Sequence, residues 1–169
     1  MKADRTGPKA QRRWWLVACA LLLSVVASAL DRPAAPVGPR VLEKQTQAAV
    51  TRDYLQAWKS LGAALQQNRP DLLDASFVGP AREKLSEAIQ GQEALGMKTI
   101  YRDTAHKFDI VFYSPEGLSM QIVDNVEYDV QVVDHGKVLQ TQHVRSRYVA
   151  VLTPTEVRWK IRVFQAEPE

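Results

Sequence analysis

The residue with most chemical potential in this sequence is Asp124. It sits within an alternation of apolar side chains, Met120, Ile122, Val126 and Tyr128, which predicts a strand with Asp124 on its inward face. A carboxylate held among apolar groups can move a proton, and Trp58, Tyr128, Ser146 and Tyr148 are the residues that could share its interior. A lone acid is not a mechanism, so the favoured reading is a buried or bulge-associated Asp124 satisfied by Ser146 or by backbone groups.

The 3 histidines do not complete a site on these patterns. His106 falls near the start of the first strand, His135 in a turn and His143 on the outward face of the third strand. No two of them have ligand spacing, so no metal is expected. "GQEALGMK", Gly91 to Lys98, is like a phosphate-binding loop, but a methionine precedes the lysine and a helix stands where the motif needs a strand. There is no G-x-S-x-G and no glycine-rich dinucleotide fingerprint, and the single cysteine, Cys19, lies inside an apolar run. The reading is of a non-catalytic chain without a cofactor.

The opposite sheet face carries charge. Arg145 and Arg147 on the third strand, with Arg158, Lys160 and Arg162 on the fourth, all fall on outward positions. Glu127 and Asp129 next door partly neutralise them, which favours a solvated face. The sharper expectation is contact with anionic headgroups or an acidic partner. Val111, Val123, Val149 and Val151 fall on that face too, forming an apolar patch suited to a protein partner or to a homodimer through the sheet.

The formal net charge of +3 does not point to nucleic acid. Residues 1–13 carry Lys2, Arg5, Lys9, Arg12 and Arg13 against Asp4, a net +4, so the rest of the chain sums to −1. A basic tail ahead of an apolar run is a topology signal. From Trp14 to Leu30 there are 17 uncharged residues, about 25 Å of helix at ~1.5 Å per residue, against a hydrocarbon core of ~30 Å. Arg12 and Arg13 outside Trp14 and Trp15 predict a cytoplasmic N-terminus and a single-pass signal anchor in the inner membrane. The alternative is cleavage after Ala27-Ser28-Ala29, which would release the rest to the periplasm. Cys19 has too few apolar residues before it for a lipoprotein signal. Residues 31–40, "DRPAAPVGPR", then read as a stiff extended spacer.

The remainder, residues 41–169, reads as one domain whose elements position Asp124. Val50, Tyr54, Trp58, Leu61 and Leu65 recur on one face of a helix predicted over Val41 to Asn68. "NRPDLLDASFVG" predicts a second, short helix burying Leu72, Leu73 and Phe77 before Gly79, and a third runs from Pro80 to Gly96 with Leu85, Ile89 and Leu95 inward. The period then becomes two. Phe108, Ile110 and Phe112 share a face, as do Leu118 through Val132 at even positions. Val144, Tyr148, Ala150 and Leu152 follow on the third strand, and Val157, Trp159, Ile161 and Val163 on the fourth. "SPEG" read as a three-residue loop pairs Phe112 with Met120. "DHG" read likewise pairs Val132 with Val138 and sets Asp124 opposite Ser146. The expected class is α+β, three N-terminal helices packed on a curved four-stranded antiparallel sheet.

That layout, with a last strand reading "VRWKIRVFQ", resembles the nuclear transport factor 2-like superfamily, also called the cystatin-like cone. "YLQAWKSLGAALQQNRPDLLDASFVGPAREKLSEAIQGQEALGMKTIYR", Tyr54 to Arg102, is further similar to its non-catalytic, envelope-facing members, the chloroplast-division inner-membrane-space domain and a domain of a mitochondrial import-motor subunit. The resemblance covers about residues 45–166 and implies a fold more than a task. Tethered members, such as type IV secretion inner-membrane subunits, meet protein partners. Enzymatic members use an inward carboxylate as general base in steroid isomerisation or polyketide cyclisation.

Overall fold

The computed structural model describes residues 40–167, apart from the Asp103 side chain. The basic tail, the anchor or signal segment with Cys19 and its cleavage motif, and the spacer up to residue 39 lie outside the described residues. Among those described, no helix is long and apolar enough to cross a membrane.

Helix α1 runs Lys44–Gln67 and buries the predicted stripe of Val50, Tyr54, Trp58, Leu61 and Leu65, with Ala57 and Ala64 filling the gaps between them. Asn68 ends it in the left-handed conformation, φ 53°, its N–H donating to the Ala64 carbonyl. The predicted second helix is instead a single 3-10 turn, Pro70–Leu73, so the described residues hold two α-helices rather than the three expected of the domain. A longer helix is excluded because Phe77 must extend into a parallel bridge with Ile161. Val78 N–H donates to Ile161 O at 2.9 Å, and Ile161 N–H to Ser76 O at 2.8 Å. Helix α2 spans Gly79–Ala94 and buries Ala81 and Ile89, with Leu85 packed at the core's margin. Leu95, expected inward, is 68% exposed because the helix has already ended.

Four strands follow as an antiparallel meander in the order β1-β2-β3-β4: β1 Met97–Tyr113, β2 Met120–Asp134, β3 Lys137–Pro154 and β4 Trp159–Ala166. The sheet curls around α1, and its core face is Met120, Ile122, Val126, Tyr128, Ala150, Leu152 and Ile161. Bulges that bend the strands also alter the predicted pairings. On β1 an irregularity between Ile110 and Phe112 turns Phe112 outward and buries Tyr113, which takes the place opposite Met120. The first hairpin loop is therefore one residue longer than expected, with Ser114 Oγ accepting from the N–H groups of Leu118 and Ser119. The second loop is shorter. Asp134 faces Lys137 across His135 and Gly136, both at positive φ as a type I′ turn requires. A bulge between Val132 and Val133 then shifts the register again, so Asp124 faces Tyr148, and Ser146 faces Val126. On β4, a bulge at Arg162 turns Phe164 inward in place of Val163, while Leu118 and Val157 lie in turns outside the strands.

One polar tie joins the two ends of the domain. Buried Asp53 on α1 accepts the Trp159 N–H at 2.9 Å through Oδ2 and holds Arg52 through Oδ1. The burial pattern of β4 predicts that Ile161→Ala costs about 2–5 kcal/mol by leaving a cavity. Val157→Ala, at a residue 78% exposed, should stay within about 0.5 kcal/mol in denaturant unfolding.

Candidate functional site

Alternation on β2 does place Asp124 inward, and it is fully buried, with 0% exposure. Its partners are not those expected. Tyr54 on α1 donates its hydroxyl to Asp124 Oδ2 at 2.8 Å, and His106 Nδ1 on β1 lies 2.7 Å from the same oxygen. With Asp124 ionised the carboxylate can only accept, so Nδ1 donates, and a neutral ring then carries its lone pair on Nε2. Oδ1 has no hydrogen-bond partner among the described residues. Ser146, opposite Val126, does not serve it.

The expectation that the histidines stand apart from a site is thus corrected for His106, which shares the face of Asp124. His106 has the parity of Phe108 and Ile110, so the alternation that aimed those two inward aims it inward also. Tyr54 stands one helical turn before Trp58 on the buried stripe. Both were legible as inward residues. Only the three-dimensional pairing shows that they converge on Asp124.

Trp58, Tyr128 and Tyr148 do come together. The Trp58 ring lies 5.0 Å from Tyr148, 5.1 Å from His106, 5.2 Å from Phe164 and 6.2 Å from Tyr128, in tilted or edge-on geometries. Tyr101 lies tilted against Tyr128 at 4.9 Å, and the Tyr128 and Tyr148 hydroxyls meet at 3.3 Å. Rings of the chain itself fill the cone's interior. Burial pushes the Tyr54 phenol well above its ordinary pKa, opposed by the Trp58 indole N–H and reinforced by the Asp124 carboxylate. Burial likewise raises Tyr148, aided by its bond to Tyr128, and pushes Tyr101 up to about 12. Beside these rings an open groove of about 500 Å³ runs between α1 and β1, bordered by Leu55, Trp58, Gln66, Tyr101, Thr104 and His106.

The basic stripe does not form as one surface. Arg145 and Arg147 lie beyond the stretch of β3 that pairs with β4, and they engage Glu127 and Glu167, each at 3.1 Å. Arg158 belongs to the turn before β4, Lys160 Nζ reaches back to Asp74 O at 2.8 Å, and Arg162 sits at the bulge. The apolar patch does form in part. Val123 pairs with Val149, and Val151 with Val163, across adjoining strands, with exposed Val111 and Phe112 toward β1. Among the described residues no group of His, Cys, Asp or Glu could hold a metal ion.

No protein-family model and no curated protein matches this chain. Solved structures match its fold. The intermembrane space region of the chloroplast protein ARC6 aligns with 77% of this chain and 100% of its own, at TM-score 0.61 and 12% identity. A provisionally named aromatic ring hydroxylase from Novosphingobium aromaticivorans aligns with 75% of this chain and 91% of its own, at TM-score 0.55 and 12% identity. A provisionally named scytalone dehydratase from the same organism aligns with 75% and 89%, at TM-score 0.51 and 15% identity. All are nuclear transport factor 2-like cones, and this chain has that fold.

Removing the Tyr54 hydroxyl leaves the buried carboxylate one donor short, so Tyr54→Phe should lower unfolding stability by about 1–3 kcal/mol in denaturant melts. The raised tyrosines also set an alkaline limit. Unfolded phenols ionise near pH ~10 and the folded ones above it, so the unfolded chain loses protons first. Stability from these groups is complete below about pH 10 and falls as pH rises, with the Tyr101 share lost toward pH 12. Ultraviolet titration should show fewer ionised tyrosines at about pH 10 in the folded protein than in the unfolded chain.

Proposed function

We propose that this chain is a membrane-tethered interaction module of a bacterial cell envelope, without catalysis of its own. The observation that supports this best is the filled cone. Where enzymatic members of the fold accommodate a small molecule, Trp58 packs against His106, Tyr128, Tyr148 and Phe164. A fully buried Asp124, held from two sides, serves that packing as a structural tie. The tether is read from the sequence: a basic cytoplasmic tail, one pass of the inner membrane over residues 14–30, a stiff spacer and a periplasmic domain. Cleavage after Ala29 would give the same domain free in the periplasm. The ARC6 region, which lies between two membranes, lends fold-level support to an envelope location. The bilayer is then one partner. A protein is the other, either a different chain or a second copy meeting the apolar patch of Val123, Val149, Val151 and Val163. Nucleic acid is not a partner of a domain with no net positive charge.

One observation favours a second reading, a small-molecule or isomerase-like site. His106 is 13% exposed, borders the groove beside Trp58 and Tyr101, and has its Nδ1 fixed by Asp124. Such a pair leaves Nε2 free to take a proton from a molecule in the groove.

Native mass spectrometry of the protein extracted from its own membranes in mild detergent separates these readings. The expected spectrum shows the full-length mass with a second protein chain attached. A species beginning at Leu30 and carrying a small-molecule adduct would overturn the tethered module, and turnover abolished by Asp124→Asn would establish the enzyme.

A further inference from the structure

Strand β3 has 18 residues, whereas β4, which covers its outer edge, has 8. Their pairing runs from Tyr148 opposite Ala166 to Pro154 opposite Trp159, with one further bond from Glu167 N–H to Arg147 O at 2.7 Å. From Lys137 to Ser146, no described strand lies on that side of β3. In an antiparallel ladder the N–H and C=O of one residue point the same way, and successive residues alternate. Because Arg147 turns its carbonyl toward β4, residues Arg145, His143 and Thr141 turn both backbone groups into the open lane. Their even-numbered neighbours face β2.

An open edge is ordinarily blunted, and the edge of β1 is. Two irregularities, between Arg102 and Ala105 and between Ile110 and Phe112, break its repeat. The β3 edge has no such break from Gln140 to Val151. Side chains then select the occupant. A strand laid beside β3 meets Thr141, His143 and Arg145 on the outer face, and Gln142, Val144 and Ser146 on the inner one. Arg145 and Arg147 each hold their carboxylate through Nε, leaving terminal nitrogens for a further acid. Opposite charges across adjacent strands attract, and like charges repel. A second copy in antiparallel pairing sets Arg145 and His143 against Arg145, His143 or Thr141 of the other copy, and the paired edge itself brings no carboxylate.

We propose that the open edge of β3 from Thr141 to Arg145, flanked by the Arg147 side chain, docks an extended acidic segment of a partner protein as a fifth strand, with carboxylates outward and small or apolar side chains inward. This rests on the reading of the domain as an interaction module, and gives that reading its partner's chemistry.

The test is residue-resolved amide hydrogen exchange on the full-length protein in mild detergent, with a synthetic peptide alternating Glu and Val as probe and its Lys-Val counterpart as control. The amides of Thr141, His143 and Arg145 should exchange rapidly in the free protein. The Glu peptide should slow them about tenfold or more at low salt, and the Lys peptide should not. The double variant R145E/R147E should reverse that preference. His143→Pro, which deletes one outward N–H at an edge position where proline is tolerated, should weaken the Glu peptide about tenfold with the unfolding temperature retained. Protection already present in a dimeric free protein would assign the edge to a second copy and overturn the proposal. Equal protection by both peptides, or none by either, would overturn it too. A protein partner found in the native spectrum while these amides stay unprotected would remove this edge and leave the interaction reading standing.

Discussion

A carboxylate with no solvent contact is the constraint around which this cone is arranged. Asp124 takes the Tyr54 hydroxyl from α1 and the His106 ring from β1 on one oxygen, so a single buried charge links a helix and two strands. Taking that charge out of water costs several kcal/mol, on the order of the stability of a small domain, and only donors held in place offset it. The donors must be held by packing. That requirement accounts for the aromatic cluster, since Tyr54 lies edge-on to Phe108 at 5.3 Å and Trp58 fixes the His106 ring from the other side.

The cone's capacity follows from where its strands bend. An irregularity in β1 buries Tyr113 against Trp159, and the bulge in β4 brings Phe164 inward to stack on Tyr148 at 4.9 Å. Each bulge exchanges which neighbour faces inside, and here both put a large ring there. The same fold with smaller residues at these places would have room for a ligand. Cone architecture alone therefore does not choose between binding a molecule and excluding one.

How far the sequence could be read depended on parity. The faces of β2, and with them the inward placement of Asp124, were legible because strand alternation has a period of two. The partner of Asp124 was not, because a loop one residue shorter than expected and a bulge one residue long moved the register by two, to Tyr148 instead of Ser146. An even shift preserves faces and changes neighbours, so inward residues stayed inward while the expected contact was lost. A single bulge has the opposite effect, which is why Phe112 and Val163 were misplaced. The short second helix failed for another reason: a distant strand, through Ile161, claims the backbone after Leu73 that a helix would have used. His106 shares the parity of its apolar neighbours, but without metal-ligand spacing nothing in the sequence marks it as a partner of Asp124.

The tie between Asp53 and the Trp159 backbone joins positions 106 residues apart, and the bridge from Phe77 to Ile161 spans nearly as much chain. Part of what closes the core on its first helix is therefore contributed by its last strand. A chain so wired cannot complete its interior progressively from one end. Loop closure over such a distance must precede the contacts that reward it, which makes folding slow and late. Until β4 is present, the apolar faces of α1 and the sheet that it covers stay exposed to water.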